Sequence, residues 1–375
     1  MNVEKINNLP RKRRILLSPL DWGLGHATRC IPLISLLNKQ NIEVIVAGEG
    51  AFISLLKKEF PGIVILPLKG YRVSYSRYKN RFFFKILLQF PKIVAAIIYE
   101  KRWLRRAVAE FNPIAIISDN RFGFCTKKTP CIFITHQLFI HTGHPLIDRI
   151  AQKINYEYIN KFDECWVPDI AGGHNLAGEL SHPHTLPKTP VRYLGILSRF
   201  KKIPVQKDIE LLILISGPEP QRSIFENILL AQTRNSEDKV VIIRGLPGET
   251  DTLPSENKYI SIFNHLPANE LNELIQRSNL VIARCGYSTI MDLAVLNQQA
   301  ILVPTPGQPE QEYLARYLKE KKLCYTTLQE NFSLIQEMEH VKRFGFSFPG
   351  ISPVINEDII MDWLQKLDHA GRENN

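Results

Sequence analysis

Two histidines and a carboxylate stand just after short apolar runs, where a parallel sheet presents side chains to a ligand. His26 lies in the turn Asp21-Trp22-Gly23-Leu24-Gly25-His26-Ala27-Thr28-Arg29, which opens a helix. An imidazole titrates near neutral pH, so at such a turn it can take a proton from a substrate hydroxyl; a packed or capping ring is the alternative. Gly23 and Gly25 let the backbone turn sharply and leave helix-terminal amides free on the same side. Asp119 follows the run Ile114–Ser118 and can orient that imidazole, unless it caps its own loop or pairs with Arg121. His136 and Gln137 add a third polar group to the rim, with His136 a second candidate for the base.

The C-terminal half offers a different chemistry. Arg284-Cys285-Gly286-Tyr287-Ser288-Thr289 follows an apolar run and opens a helix carrying Asp292. The amides from Gly286 to Thr289, with the helix dipole behind them, form a candidate cradle for a diphosphate. Gln308, Glu310, Gln311 and Glu312 open a later helix and suit neighbouring sugar hydroxyls, although a solvated acidic helix start has the same composition. Arg244 and Arg284 can meet the charge of a leaving group. The first turn lacks the third glycine of the dinucleotide fingerprint, and only Glu49 lies near the end of the second strand, so NAD is disfavoured and no cofactor is expected. No Asp-x-Asp stands ready to hold a metal across a diphosphate.

Short apolar runs alternating with helix-period segments place these residues on an α/β scaffold. Strands are predicted at Ile15–Ser18, Val44–Ala47, Ile63–Leu66, Ile114–Ser118, Cys131–Thr135 and Glu164–Val167. A second series runs through Leu211–Ser216, Val240–Arg244, Ile260–Phe263, Leu280–Ala283 and Ala300–Val303. Two Rossmann-like, doubly wound domains facing a cleft follow, over 1–198 and 199–350. Residues 351–375 should supply a helix that packs back on the N-terminal domain.

Of the 375 residues, 47 are basic and 37 acidic, and the excess sits in the first 200. There, 29 basic side chains face 14 acidic ones. Six cysteines without a paired spacing argue for reduced thiols in a cytoplasmic chain rather than a disulfide framework or a zinc site. The apolar stretch after Arg11–Arg14 is too short for a signal-peptide core, and Phe82–Tyr99 is too interrupted to span a bilayer. Residues 71–106 hold ten Lys or Arg against one acid, Glu100, interleaved with aromatic and aliphatic residues. That composition fits a segment lying on an anionic membrane surface; an ordinary crossover helix with a solvated basic face is the alternative. No recognition motif accompanies the charge, so no nucleic-acid partner is expected.

Gly-Leu-Gly-His near the N-terminus, and Asn-Leu-Val-Ile-Ala-Arg-Cys-Gly-Tyr-Ser-Thr-Ile-Met-Asp-Leu-Ala through Val-Pro to Gln-Pro-Glu-Gln-Glu-Tyr, resemble a GT-B glycosyltransferase. The resemblance is to the MurG-type, family 28 group, and the C-terminal module is also similar to the UDP-glycosyltransferases. It covers most of the chain in architecture, with motifs at Leu16–Arg29, Ile134–Leu138 and Asn279–Tyr313. It implies metal-independent, inverting transfer of a hexosyl or N-acetylhexosaminyl group from a nucleoside-diphosphate sugar, UDP-linked, to a lipid-linked or glycan acceptor. Such an enzyme would sit in the cytoplasm, peripheral on the inner face of the cell membrane.

By position, the resemblance gives Asp292 the ribose hydroxyls, Gly286, Tyr287, Ser288 and Thr289 the diphosphate, Gln311 the donor sugar, and the backbone at Leu266 the base. His26 falls on the histidine of the glycine-rich loop, and Asp119 on the acidic partner of the catalytic histidine in the UDP-glycosyltransferases. Two departures stand out: Ser216-Gly217-Pro218-Glu219-Pro220 replaces a Gly-Gly-Ser-type loop, and Asp292 is shorter than the family's Glu. Two rival readings remain. A nucleotide-sugar hydrolase similar to those of pseudaminic acid synthesis shares the pattern of Gly25-His26-Ala27-Thr28-Arg29-Cys30, and a non-catalytic sugar-nucleotide binder would need no base.

Overall fold

The computed structural model describes residues 13–21, 24–71, 82–251, 253–346, 348 and 355–373. Trp22, Gly23 and the basic residues from Arg72 to Arg81 lie outside them. Every run predicted as a strand is one. The first sheet uses β1 (Arg14–Pro19), β2 (Glu43–Gly48), β3 (Val64–Pro67), β4 (Ala115–Asp119), β5 (Cys131–Ile134), β6 (Glu164–Val167) and β7 (Val191–Tyr193). The second uses β8 (Ile209–Leu214), β9 (Val240–Ile243), β10 (Ile260–Phe263), β11 (Ser278–Arg284), β12 (Ala300–Val303) and β13 (Tyr325–Thr326). All described pairings are parallel, in the orders β3-β2-β1-β4-β5-β6-β7 and β10-β9-β8-β11-β12-β13.

Parallel strands need crossover helices, which bury both faces of each sheet. In the first unit these are α1 (Gly25–Lys39), α2 (Ala51–Glu59), α3 (Phe82–Phe111) and α4 (Pro145–Ile159). In the second they are α5 (Gln221–Thr233), α6 (Ala268–Arg277), α7 (Tyr287–Leu296), α8 (Pro309–Glu320) and α9 (Leu334–Arg343). The direction of winding reverses between β1 and β4 in one sheet and between β8 and β11 in the other. At such switch points the loops diverge and leave a crevice at the carboxyl ends of the strands. His26 and Asp119 flank the first crevice, and residues 284–289 flank the second.

Alternation along β1 divides the core. Leu16 packs with Leu104, Ala107 and Phe111 of α3 on one face of the first sheet. Ile15 and Leu17 join α1 on the other, in a cluster that continues without a break into Ile290, Met291 and Leu293 of α7. The two units thus share apolar surface where α1 meets α7. A final helix, α10 (Glu357–Glu373), returns to the first unit. The Asn356 amide donates to Leu194 O at 2.7 Å, and Trp363 meets Trp166 edge-on with centroids 4.9 Å apart. Asp368 pairs with Arg13 at 2.6 Å. All six cysteines are unpaired, and all but Cys125 are buried.

Candidate functional site

The register of the first sheet sets Pro19, the last residue of β1, opposite Asp119, the last of β4. Helix α1 starts six residues beyond Pro19 and brings His26 back over the strand end, with no side chain capping its first amides. His26 Nδ1 lies 3.1 Å from Asp119 Oδ1, so the imidazole and carboxylate singled out from the sequence do meet. Arg29, one helical turn after His26, is 2% exposed and brackets the Asp119 carboxylate, with Nε donating to Oδ2 at 2.9 Å and Nη2 to Oδ1. Removing one partner from a buried pair of this kind costs about 3–5 kcal/mol. The expected alternative for Asp119, a salt bridge to Arg121, does not form. Arg121 turns away to Glu100, donating from Nε at 2.8 Å, because Glu100 is buried beneath it on α3.

Arg29 also reaches across the rim. Its Nη1 lies 3.0 Å from His136 Nδ1 and its Nη2 lies 2.8 Å from His26 Nδ1. His136 Nε2 lies 2.7 Å from Glu310 Oε1, in the first turn of α8 and therefore in the other unit. The His136 ring stacks on Tyr287 with centroids 4.2 Å apart and planes 8° from parallel. Gln137 sits beside it, its amide donating to Thr135 Oγ1 at 3.0 Å and its carbonyl accepting from Asn155 at 3.1 Å. Arg29 was not among the sequence candidates. The available signal was a cation three residues after His26, on the inward face of a helix whose other inward positions are apolar.

Electrostatics follow from this crowding. Burial and the nearby guanidinium push the His26 pKa below its ordinary value against the pull of Asp119, which keeps the ring neutral at physiological pH. Burial alone would raise Asp119, yet Arg29 and His26 hold its carboxyl well below the usual carboxylate range. Glu310 is likewise held down, against burial, by His136, His26 and Arg29.

The other wall of the site is the start of α7. Gly286 precedes its first turn in an extended conformation, and no side chain caps it. Ser288 Oγ donates to Gly25 O at 2.9 Å, and the Tyr287 hydroxyl donates to Pro168 O at 2.8 Å. Thr289 follows in the same turn. Two uncapped helix N-termini, one from each unit, therefore face one another. Asp292, further along α7, accepts from Ser198 Oγ in the crossover between the units. Burial raises its pKa to about 6, opposed by Arg199 and by the Ser198 bond. Leu266 is buried and follows His265, whose pKa is lowered by burial and by Lys58 and Arg199.

The remaining candidates are engaged within the second unit. Gln311 donates to Gln308 Oε1 at 2.6 Å and accepts from the Thr305 amide at 2.8 Å. Arg244 gives its charge to Glu226 at 2.6 Å and a hydrogen bond to Asn264 at 2.9 Å. Arg284 is 1% exposed. It lies over the Phe225 ring and donates to Gln221 O at 2.8 Å and Gln329 Oε1 at 2.6 Å. Burial without a carboxylate partner lowers its pKa to about 9. Arg244 is thus paired with Glu226, and Arg284 is held in the protein interior. Gly23 lies outside the described residues.

A sequence profile of the glycosyltransferase family 28 C-terminal domain matches residues 213–344. An uncharacterized glycosyltransferase of Methanosarcina acetivorans is 24% identical over 344 residues, covering 84% of this chain and 87% of the relative. A UDP-N-acetylglucosamine–N-acetylmuramyl-(pentapeptide) pyrophosphoryl-undecaprenol N-acetylglucosamine transferase of Clostridium tetani is 26% identical over 307 residues, 78% of either chain. Among solved structures, the spinosyn forosaminyltransferase SpnP shares the fold with a TM-score of 0.59 at 11% identity, over 95% of this chain and 99% of its own.

Proposed function

Because the chain is a glycosyltransferase of the family 28, MurG-like type on a GT-B fold, we propose that it moves a hexosyl or N-acetylhexosaminyl group from a UDP-sugar to a lipid-linked hydroxyl, with inversion. The observation that carries this reading is the His26–Asp119 pair at one switch point, facing the uncapped start of α7 at the other. A diphosphate seated on the amides of Gly286 to Thr289 would be stabilised by aligned peptide dipoles. Asp292 would take the ribose hydroxyls, the backbone at Leu266 the base, and Gln308, Glu310 and Gln311 the sugar. His26 accepts the acceptor's proton as its oxygen bonds to the anomeric carbon. The bond to the diphosphate breaks on the opposite side, and the nucleoside diphosphate leaves with that electron pair.

A lipid-linked acceptor is supported by the name of the Clostridium tetani relative and by one surface of the first unit. Helix α4 exposes Leu146 (74%), Ile150 (62%) and Ile154 (42%) along a single stripe, flanked by the exposed Arg149 and Lys153. Helix α3 shares a small apolar cluster with Tyr158 of α4 through Ile93, Ala96 and Ile97 and exposes Lys92, Ile98, Tyr99, Arg102, Arg105 and Arg106. Glu100 is turned inward to Arg121 and so does not dilute this charge. No helix among the described residues is long and apolar enough to cross a membrane. These faces suit peripheral attachment to an anionic bilayer, on the cytoplasmic side where nucleotide sugars are made. Transfer from a panel of UDP-, dTDP- and GDP-sugars to polyprenyl-diphosphate-linked acceptors, with the product anomer read by NMR, tests the reading. Retention of configuration, or no transfer from any UDP-sugar, overturns it.

A further inference from the structure

We propose that Arg29 is a positioning residue that decides which nitrogen of the His26 ring carries the proton, and that His136 and Glu310 hold Arg29 in place across the two units. A guanidinium can only donate hydrogen bonds. His26 Nδ1 meets both a donor, Arg29 Nη2 at 2.8 Å, and an acceptor, Asp119 Oδ1 at 3.1 Å; the shorter contact makes Nδ1 the acceptor and places the ring proton on Nε2. The other tautomer would point Nδ1–H at Asp119 Oδ1, 3.1 Å away, and set two N–H groups head-on at the Arg29 contact. The same logic fixes His136: Nδ1 accepts from Arg29 Nη1 at 3.0 Å, and Nε2–H donates to Glu310 at 2.7 Å. Asp119 anchors the guanidinium from below through both of its oxygens.

The groups facing His26 are Asp119 from β4, Arg29 on α1, His136 beyond β5 and Glu310 on α8, while Cys30 on α1 donates to Asp119 Oδ2 at 3.6 Å. These contacts assign the ring proton of each histidine. For the acceptor's proton to arrive at Nε2, the ring must first carry its own proton on Nδ1, facing Asp119. The contact between Arg29 and Nδ1 must then give way, with no net change in protonation. A sugar hydroxyl engaging Glu310 competes for the carboxylate that holds His136, so donor binding loosens the chain that keeps Arg29 on His26. This catalytic consequence rests on the transfer reading, whereas the proton assignment does not.

The test is long-range 1H–15N correlation of the full chain labelled with 15N in its histidine rings, above neutral pH, with His26→Gln and His136→Gln assigning the signals. Both rings are expected as the Nε2–H tautomer; an Nδ1–H pattern for His26 in the wild type overturns the proposal. In Arg29→Gln, His26 should change to the Nδ1–H form or to imidazolium, and retention of Nε2–H overturns it. Should that variant fail to fold around its unpaired Asp119, Glu310→Gln decides. Its side chain is 35% exposed, and the change leaves a neutral acceptor for His136. It should perturb the His136 signals and raise the Nδ1–H population of His26, and an unchanged His26 overturns the link between the units. The spectra need no turnover, so failure of the transfer reading leaves their outcome independent.

Discussion

Ser288 donates its hydroxyl proton to the main-chain carbonyl of Gly25 at 2.9 Å, and Thr28 of α1 donates to the same oxygen at 2.9 Å. One carbonyl at the first residue of α1 thus holds both its own helix and the first turn of α7. The two helix ends that the proposed chemistry needs side by side are fixed by this bond and by the Tyr287 hydroxyl on Pro168 O.

Gly25→Ala should disturb that junction. The added methyl would stand 3.0 Å from Ser288 Oγ and 3.4 Å from its Cβ, so the Ser288 side chain must give by a few tenths of an ångström and its bond to Gly25 O is disturbed. Overpacking of this kind costs about 1–3 kcal/mol. A lowered melting temperature and a raised donor KM are expected, with partial recovery of both in Gly25→Ala/Ser288→Gly.

His26→Ala should lower kcat by about 10² to 10⁴, the usual worth of a general base. Assayed at saturating donor and acceptor, near-wild-type turnover would show that the proton goes elsewhere.

Asp292 should give donor binding an acid limb. Its carboxyl titrates at about 6 because burial disfavours the anion. Ribose hydroxyls bind the anion better, so donor KM should rise as pH falls through that value. In Asp292→Asn the limb should vanish, at a uniformly raised KM. The stability sign is opposite: a carboxyl raised by folding favours the folded state at low pH and loses that contribution as pH rises through about 6. The Asn variant should therefore melt no lower than wild type at neutral pH.

Arg284→Met should separate stability from donor binding. The change removes hydrogen bonds to Gln221 O and Gln329 and leaves those acceptors to find new partners, a loss of about 1–3 kcal/mol. Donor KM should stay within about twofold; thermal melts and steady-state rates together check both halves.

Leu146→Asp/Ile150→Asp should abolish sedimentation with phosphatidylglycerol vesicles at low salt while sparing transfer to a water-soluble acceptor. Arg102→Glu/Arg105→Glu should weaken binding in a salt-dependent way, each cation contributing about 1 kcal/mol near an anionic surface. Equal binding of wild type and variants would remove these helices from the interface.

Much of the scaffold was legible because buried parallel strands are continuous apolar runs, and every such run became a strand. β7 and β13 were not, for a physical reason. Val191–Tyr193 is partly exposed at a sheet edge, and Tyr325–Thr326 is two residues long, so neither needs an apolar run. In the site, His26, Asp119 and His136 were legible from their places after strands, because residues at the carboxyl ends of neighbouring parallel strands share one rim of the sheet. Arg29 was hidden by its helix: a cation in an α-helix reads as solvent-facing unless its carboxylate is known, and Asp119 lies 90 residues away. Arg121 misled for the converse reason. Nearness in sequence suggested a pair with Asp119, while Glu100 on α3 took the guanidinium.

Trp166 is fully buried, and part of what covers it is Trp363, nearly two hundred residues later. The first unit therefore cannot complete its surface from residues 13–193 alone. During synthesis its strands can pair while the second unit is still being made, but one side of a large indole stays uncovered until α10 emerges. The polypeptide that closes over it has by then crossed between the units twice, so the N-terminal half is among the first parts to be started and the last to be finished.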